Sequence, residues 1–190
     1  MSTRNTQLDR LYTSLYDCTK CVLHRYRRQV VCGEGDANPH LMLIGEGPGK
    51  SENLLGRPFV GPSGRLLRRT IEDATSKVKV PGSLRVYFTN VVACRPTDSK
   101  TGPNRSPTKK EAWACMQRLV RIDEIVQPAL VILLGAVPAR LVAHLFPGAG
   151  RMPHPSSILR SGGVESGRYP GYVQDLVGYI QQSIQIMEER

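Results

Sequence analysis

The stretch Leu41-Met-Leu-Ile-Gly-Glu-Gly-Pro-Gly-Lys-Ser-Glu-Asn-Leu-Leu-Gly-Arg-Pro-Phe-Val-Gly-Pro-Ser-Gly64 joins a short apolar run to a loop rich in glycine and proline. The run Leu41 to Ile44 has the length of a buried β-strand, and the glycines and proline that follow end it abruptly. In α/β proteins a strand that ends in this way often opens onto a ligand crevice. The loop also carries two acidic residues, Glu46 and Glu52, and an aromatic residue, Phe59. The stretch therefore predicts the floor of an active site.

The order Gly49-Lys-Ser51 also ends a phosphate-binding loop, so a nucleotidase is an alternative interpretation. That motif needs a glycine five positions before Gly49, where this chain has Ile44. Pro48 removes an N–H group from the turn that would have to hold phosphate. The later apolar run Val131–Leu134 is followed by Gly135 and not by an aspartate that could hold Mg²⁺. These departures argue against the nucleotidase.

The composition is that of one globular domain over residues 1–190, with 40% hydrophobic and 22% charged residues. The sequence shows no membrane span and no signal-peptide core, so we expect a cytoplasmic protein without a membrane partner. Lysine and arginine outnumber acidic residues by 26 to 16, which gives a formal net charge of +10. This excess favours a polyanionic partner such as nucleic acid. The basic segment Val22–Arg28 is either a solvated face or an edge that contacts phosphate.

Five cysteines in a chain expected to be intracellular favour a metal site over disulfides. Cys18 and Cys21 form a C-x₂-C pair after a predicted N-terminal helix, and Cys94 and Cys115 follow farther along the chain. Four thiolates suit either structural zinc or an iron–sulfur cluster, and the spacing alone does not separate the two. Cys32 is left over and is predicted to be a plain buried or half-buried thiol.

Apolar strands alternate with amphipathic helices along the chain, which predicts an α/β fold with a parallel sheet covered by helices on both faces. The pattern predicts a helix from about residue 64 to 77, with Ser63 as a plausible N-cap, and a helix capped by Thr108 that runs to about Val126. It places further strands at residues 84–93 and 129–134 and a loop at residues 147–160.

Two polar residues stand out in this pattern. Asn90 is an amide near the end of an apolar strand, where a buried amide needs partners. Its donor and acceptor lie side by side and complement a pyrimidine edge, although they also suit bonds to neighbouring backbone. His154 lies between two prolines that fix its backbone, which favours a positioned functional group over a core histidine.

Several motifs occur together along the chain: Gly45-Glu-Gly-Pro-Gly49 with Glu52, Gly56-Arg-Pro-Phe-Val-Gly61, Thr89-Asn-Val-Val-Ala-Cys-Arg-Pro96, Val131-Ile-Leu-Leu-Gly135, and His154-Pro-Ser156 leading to Ile158-Leu-Arg160. Jointly they resemble family 4 uracil-DNA glycosylases, the iron–sulfur branch of the uracil-DNA glycosylase superfamily. The resemblance covers nearly the whole chain. It implies a three-layer α/β/α sandwich around a four-stranded parallel sheet. It also implies a structural 4Fe-4S cluster bound by Cys18, Cys21, Cys94 and Cys115.

The activity implied by the resemblance is hydrolysis of the N-glycosidic bond of uracil in single- or double-stranded DNA, with base flipping, as a monomer in base excision repair. In this comparison Phe59 would stack on the flipped uracil and Asn90 would read its edge, with backbone amides near Gly47 completing the pocket. His154 would donate a hydrogen bond to O2 of the departing base. Glu46 would orient or deprotonate the attacking water, and Glu52 would share that role or support the loop.

The resemblance also implies a DNA-binding surface. Ile158 would enter the base stack in place of the flipped nucleotide. The DNA backbone would be contacted by Ser63, Arg65, Ser156 and Arg160. An apparent insertion at Asp98–Gly102 departs from the family pattern. It leaves open the preferred base, and a weakly active DNA-binding relative or an enzyme for another deaminated or modified base remains the alternative.

Overall fold

A five-stranded sheet forms the centre of the computed structural model, which describes residues 3–190. The strands are β1 Glu34–Gly35, β2 Leu41–Gly45, β3 Val86–Asn90, β4 Leu130–Leu134 and β5 Gly150–Met152. The helices are α1 Thr3–Leu15, α2 Lys50–Leu55, α3 Pro62–Thr75, α4 Lys109–Val126, α5 Ala136–Leu141, α6 Pro155–Arg160 and α7 Tyr169–Glu188. Short 3₁₀ helices cover Val22–Arg25, Ala143–Leu145 and Gly163–Glu165.

The strand order is β1-β3-β2-β4-β5, and β2 to β5 run parallel to one another. The predicted α/β class and parallel sheet are confirmed. The sheet has a fifth strand because β1 pairs antiparallel with β3, with Glu34 opposite Phe88. The three residues Gly150–Met152 form β5 within the predicted loop, since so short a strand has no recognisable apolar pattern.

Alternate residues of the central strands supply two separate cores, as the period of a β-strand requires. Leu41 and Leu43 of β2 face one core, which α3 and α7 cover. Met42 and Ile44 face the other core, which α1 and α4 cover. All four side chains are fully buried, so the sheet is the middle of three layers.

The helix beginnings follow simple capping rules. Thr108 accepts a hydrogen bond from Glu111 N at 3.2 Å and the Glu111 carboxylate accepts one from Thr108 N at 2.8 Å, so the predicted cap of α4 is confirmed. The expected cap of α3 is wrong. That helix begins at Pro62 with Gly61 as its N-cap, because proline is well suited to the first helical position, and Ser63 therefore lies within the first turn.

In the part of the chain that the structure describes, none of the helices is long and apolar enough to cross a membrane.

Candidate active site

A cavity with a volume of about 400 Å³ lies where β2 and β3 end. Its size is within the range of small-molecule sites, about 300 to 1,000 Å³. It brings together the loop after β2, the start of α3, the end of β3 and the segment before α6. The predicted site residues that line it are Glu46, Gly47, Glu52, Phe59, Ser63, Asn90, His154 and Ser156. The cavity is also lined by two residues that the sequence did not single out, Asn104 and Arg105.

Glu52 ties together the two halves of the loop that follows β2. One carboxylate oxygen accepts a hydrogen bond from Gly49 N at 3.0 Å, and the other accepts bonds from Val60 N at 3.0 Å and Gly61 N at 2.7 Å. These charge-assisted bonds occupy both oxygens. Of the two roles expected for Glu52, the contacts favour support of the loop. In addition, the Gly49 N–H group donates to a carboxylate of the protein, whereas in a phosphate-binding loop the backbone N–H groups point to the phosphate.

Phe59 lies in the wall of the cavity in a conformation that is unusual for a residue with a side chain. Its φ angle is +54°, in the left-handed region, and its side chain is buried. Gly64 explains how α3 approaches this strained residue, because a Cβ atom at Gly64 would lie only 2.1 Å from the Phe59 carbonyl carbon. Such strain is typical of functional positions that their surroundings hold in place.

Arg68 of α3 contributes to this support. Its Nε donates to the Phe59 carbonyl oxygen at 3.3 Å, and its guanidinium carbon lies 4.5 Å from the centre of the Phe88 ring. The Phe88 ring is in turn 5.7 Å from that of Phe59. This role depends on a contact with a carbonyl in the loop before α3, and helical periodicity carries no signal for it.

Asn90 and Phe59 converge at Gly45, the last residue of β2. A Cβ atom at Gly45 would lie 2.5 Å from Asn90 Oδ1 and 2.7 Å from Phe59 Cζ, so the floor of the cavity excludes any side chain there. Asn90 is 4% exposed. In residues 3–190 its side-chain amide has no hydrogen-bond partner in the protein, so that amide lines the cavity ready for a ligand.

The backbone of Glu46 is fixed by the strand beside it. Val91 N donates to Gly45 O at 2.9 Å, and Val92 N donates to Glu46 O at 3.4 Å. The half-buried Glu46 side chain is thereby carried into the cavity wall next to Gly47. Gly47 has a steric role as well, since a Cβ atom there would lie 2.9 Å from Val92 Cγ2.

His154 has a defined orientation. Ser156 N donates to His154 Nδ1 at 3.2 Å, and Ser156 Oγ lies 2.8 Å from the same nitrogen. In the neutral ring Nδ1 is therefore the acceptor, which assigns the proton to Nε2. Burial, assisted by the charge of Arg160, lowers the pKa of His154 and favours this neutral form. Gly135, with φ +96°, permits the approach, since a Cβ atom there would lie 2.9 Å from His154 Cβ.

The polar loop between β3 and α4 forms another wall. Arg95 Nε donates to Asn104 Oδ1 at 2.6 Å, while Arg105 bonds the buried carboxylate of Glu111 at 2.7 and 2.9 Å. Burial raises the pKa of Glu111, but the bonds from Arg105 and Thr108 outweigh it and lower the pKa overall. The apparent insertion lies in this loop, although residues 98–102 themselves do not line the cavity.

The predicted DNA-contacting residues divide into three groups. Ser63 and Ser156 line the cavity, and Arg65 and Arg160 are exposed. Ile158 is 1% exposed and belongs to a hydrophobic core, so its predicted insertion into DNA does not fit its position. It faces inward because α6 packs on α3, whereas the next residue, Leu159, is 38% exposed.

The four predicted metal ligands line a second, small cavity, together with Arg27 and Arg118. All of these cysteines are free thiols. Ala93 N donates to Cys115 Sγ at 3.4 Å, and Arg27 Nη1 lies 3.7 Å from Cys94 Sγ. Burial raises the pKa of the Cys94 thiol to about 12. In residues 3–190 no three Cys, His, Asp or Glu side chains are grouped closely enough to hold one metal ion.

Cys32 is buried, as predicted, and lies outside this second cavity. Burial raises the pKa of its thiol to about 11. The basic segment before it has a structural role at Arg27, whose guanidinium also donates to Cys18 O at 2.5 Å and Tyr16 O at 3.2 Å.

The fold and the first cavity define an α/β protein with a preformed cavity of small-molecule size at the carboxyl ends of its parallel strands. A family model described as the uracil DNA glycosylase superfamily matches residues 32–175. Since this match includes most of the chain, the protein belongs to the uracil DNA glycosylase superfamily.

Individual relatives point to one branch of that superfamily. Over 138 residues the chain is 39% identical to the type-4 uracil-DNA glycosylase of Pyrobaculum aerophilum, covering 73% of this chain and 65% of the relative. Over 136 residues it is 38% identical to that of Thermotoga maritima, covering 72% and 66%. The Archaeoglobus fulgidus protein of the same name is 34% identical over 139 residues, covering 73% and 65%. The chain thus matches slightly less than two thirds of the length of each of these relatives.

Proposed function

We propose that the protein is a uracil-DNA glycosylase of the type-4 branch, which hydrolyses the N-glycosidic bond of a flipped uracil and leaves an abasic site in base excision repair. The observation that carries the proposal is the convergence of the Phe59 ring and the Asn90 amide on Gly45 in one cavity with His154. The formal net charge of +10 favours DNA as the partner.

Two groups that line the cavity, the Phe59 ring and the Asn90 side-chain amide, account for recognition of the base. The Phe59 ring offers a rigid stacking surface, because its backbone and its neighbour Phe88 hold it in place. The Asn90 amide donates to uracil O4 and accepts from uracil N3–H. Cytosine has an amino group at position 4 and a bare N3, so both bonds would be mismatched. A buried polar site of this kind discriminates strongly against the wrong ligand.

Cleavage is assigned to two residues that line the cavity, His154 and Glu46. His154 Nε2–H donates to uracil O2 and stabilises the negative charge that develops as the C1′–N1 bond breaks. The half-buried Glu46 carboxylate orients a water molecule toward C1′ and accepts its proton. The water oxygen forms the new bond to C1′, and the base leaves with the bonding electrons. Glu52 positions the loop and takes no part in proton transfer.

The branch name also implies a 4Fe-4S cluster, and we propose Cys18, Cys21, Cys94 and Cys115 as its ligands. These four thiols share one cavity without forming disulfides, which fits an all-thiolate cluster. When bound, the cluster would join the N-terminal segment to β3 and α4.

The direct test is release of bases from single- and double-stranded oligonucleotides that carry uracil, hypoxanthine, xanthine or a modified pyrimidine. The expected result is release from uracil, with none from cytosine, in buffer without added metal ions. Glu46→Gln should lower the single-turnover rate about 10²- to 10⁴-fold. The exposed Glu188→Gln at the end of α7 is the matched control and should leave the rate unchanged.

Each outcome has a separate meaning. Release of another base but not uracil would replace the substrate and retain the chemistry. Tight DNA binding without release of any base would contradict the proposed activity and favour a DNA-binding role. A Glu46→Gln variant as active as the wild type would contradict the assignment of the water-activating residue.

A further inference from the structure

Arg118 on α4 is a buried guanidinium with an incomplete set of partners. It is 4% exposed, and its Nε has no hydrogen-bond acceptor among residues 3–190. An arginine side chain carries five N–H donors and keeps its charge at any ordinary pH. A buried donor without an acceptor is costly, so a further group is expected beside it.

The charge of Arg118 is also left without a counter-ion in the described part of the chain. The ion pairs there involve other arginines: Arg57, Arg68, Arg69, Arg105 and Arg121. Its terminal nitrogens contact only neutral oxygens. An unpaired buried charge is strongly destabilising, so the surroundings of Arg118 call for an anion.

The cavity beside Arg118 is the one that the four cysteines line. An iron–sulfur cluster with four thiolate ligands carries net negative charge and sulfur atoms that accept hydrogen bonds. It would therefore supply both the acceptor and the counter-charge that Arg118 lacks. This step rests on the cluster that is part of the proposed function.

The other side of the same guanidinium holds the end of β3. Nη1 donates to Cys32 O at 2.6 Å and Thr89 Oγ1 at 2.9 Å, while Nη2 donates to Val91 O at 3.2 Å and also to Asn90 O. Asn90 is the residue assigned to base recognition. One side chain thus contacts the cysteine cavity and the strand that carries the recognition amide.

We propose that Arg118 is a positioning residue that binds the cluster through Nε–H, compensates its charge, and fixes the end of β3 so that Asn90 is correctly placed. Cluster occupancy and pocket geometry are linked through this side chain. Arg27, which contacts Cys94 Sγ from the other segment, contributes charge but does not reach β3 through any of its bonds in residues 3–190.

The test compares Arg118→Gln and Arg118→Lys with Arg121→Gln. Arg121 lies one turn farther along α4 at the surface, where it pairs with Glu124. Iron and sulfide content, the reduction potential, the loss of visible absorbance in air and the single-turnover rate of uracil release are measured for each purified protein.

Arg118→Gln removes a positive charge and a hydrogen-bond donor from beside the cluster, so the reduction potential of the cluster should become more negative. The same variant should lose its absorbance several-fold faster and release uracil at least tenfold more slowly. In Arg118→Lys the reduction potential should stay close to the wild-type value while the rate of uracil release falls. Lysine keeps the positive charge but lacks the forked guanidinium that holds β3. Arg121→Gln should match the wild type in every measurement. An unchanged potential and cluster lifetime in Arg118→Gln would overturn the proposal.

A measurement on the wild type covers the case in which Arg118→Gln does not fold. Protein labelled with ¹⁵N-arginine is reduced and examined by pulsed electron paramagnetic resonance, which detects nitrogen coupled to the cluster. A coupling that persists in Arg27→Lys and disappears in Arg118→Lys supports the proposal, and its absence from the wild type overturns it. Wild-type protein without iron and sulfide would instead refute the cofactor itself, whereas uracil release tests the proposed activity separately.

Discussion

The cavity at the ends of β2 and β3, here called the pocket, and the cavity lined by four cysteines, the cysteine cavity, differ in the hydrogen bonds that hold the groups around them. In the pocket, three backbone N–H groups bind Glu52, and Ser156 orients His154. In the cysteine cavity, four thiols are free and a buried arginine nitrogen has no acceptor in residues 3–190. The protein's own bonds therefore hold the framework of the pocket, whereas the thiols and the Arg118 nitrogen at the cysteine cavity are left for the cluster proposed there.

Because of this difference, we expect the largest loss of stability from a substitution at the cysteine cavity. Cys115→Ser should abolish the brown colour of the purified protein and most of its soluble yield, because a metal site that completes a fold contributes its binding energy to stability. Cys32→Ser is the matched control, since Cys32 is buried but lies outside the cavity. Iron analysis and urea unfolding compare the two. If Cys115→Ser retained iron and stability like Cys32→Ser, the cavity would not be a cluster site.

The features of the fold and of the two cavities that depend on local sequence pattern could be predicted from the sequence. Apolar period, capping chemistry and motifs predicted strands β2, β3 and β4, the main helices, the cap at Thr108 and the cavity-lining residues Phe59, Asn90 and His154. The roles of Arg68 and Arg118 could not be predicted, because each acts through carbonyl groups outside its own helix.

Ile158 shows the opposite limitation of sequence reasoning. Its position within a motif indicated an exposed residue, but the packing of α6 on α3 decided which side of the helix is buried. A motif fixes the order of residues, whereas their exposure depends on the tertiary structure.

Within the pocket, Asn90→Asp should have the largest effect on chemistry. An aspartate carboxylate has no donor for uracil O4, and its charge is repelled by that oxygen, so uracil release should fall about 10⁴-fold. Asn53→Asp is the control, because Asn53 Oδ1 accepts from Arg28 N, a bond that a carboxylate retains. Single-turnover release from uracil and cytosine substrates measures both. Unchanged uracil release by Asn90→Asp would refute its role in recognition.

A smaller effect on the rate is expected at Glu52, which holds the loop of the pocket through backbone N–H groups. Glu52→Gln replaces one acceptor oxygen by an NH₂ group that faces backbone N–H donors. The lost bonds should reduce the free energy of unfolding by about 1–3 kcal/mol. The rate of uracil release should fall about tenfold through displacement of Phe59. Glu72→Gln, on the exposed face of α3, should change neither value. A loss as large as that of Glu46→Gln, with stability unchanged, would make Glu52 a catalytic residue.

The smallest effect concerns the protonation of His154. Burial, assisted by Arg160, lowers its pKa in the folded protein below the unfolded value of about 6.5. The unfolded state then binds more protons in this pH range, so the contribution of His154 is complete above about pH 6.5 and is lost as the pH falls through the folded pKa. His154→Gln should therefore lose less stability between pH 8 and pH 5 than the wild type, as measured by urea unfolding. His144→Gln, outside the pocket, should behave like the wild type. Equal losses in His154→Gln and the wild type would mean that His154 is not held in the neutral form, and the assignment of Nε2–H as the donor to the departing base would fail with it.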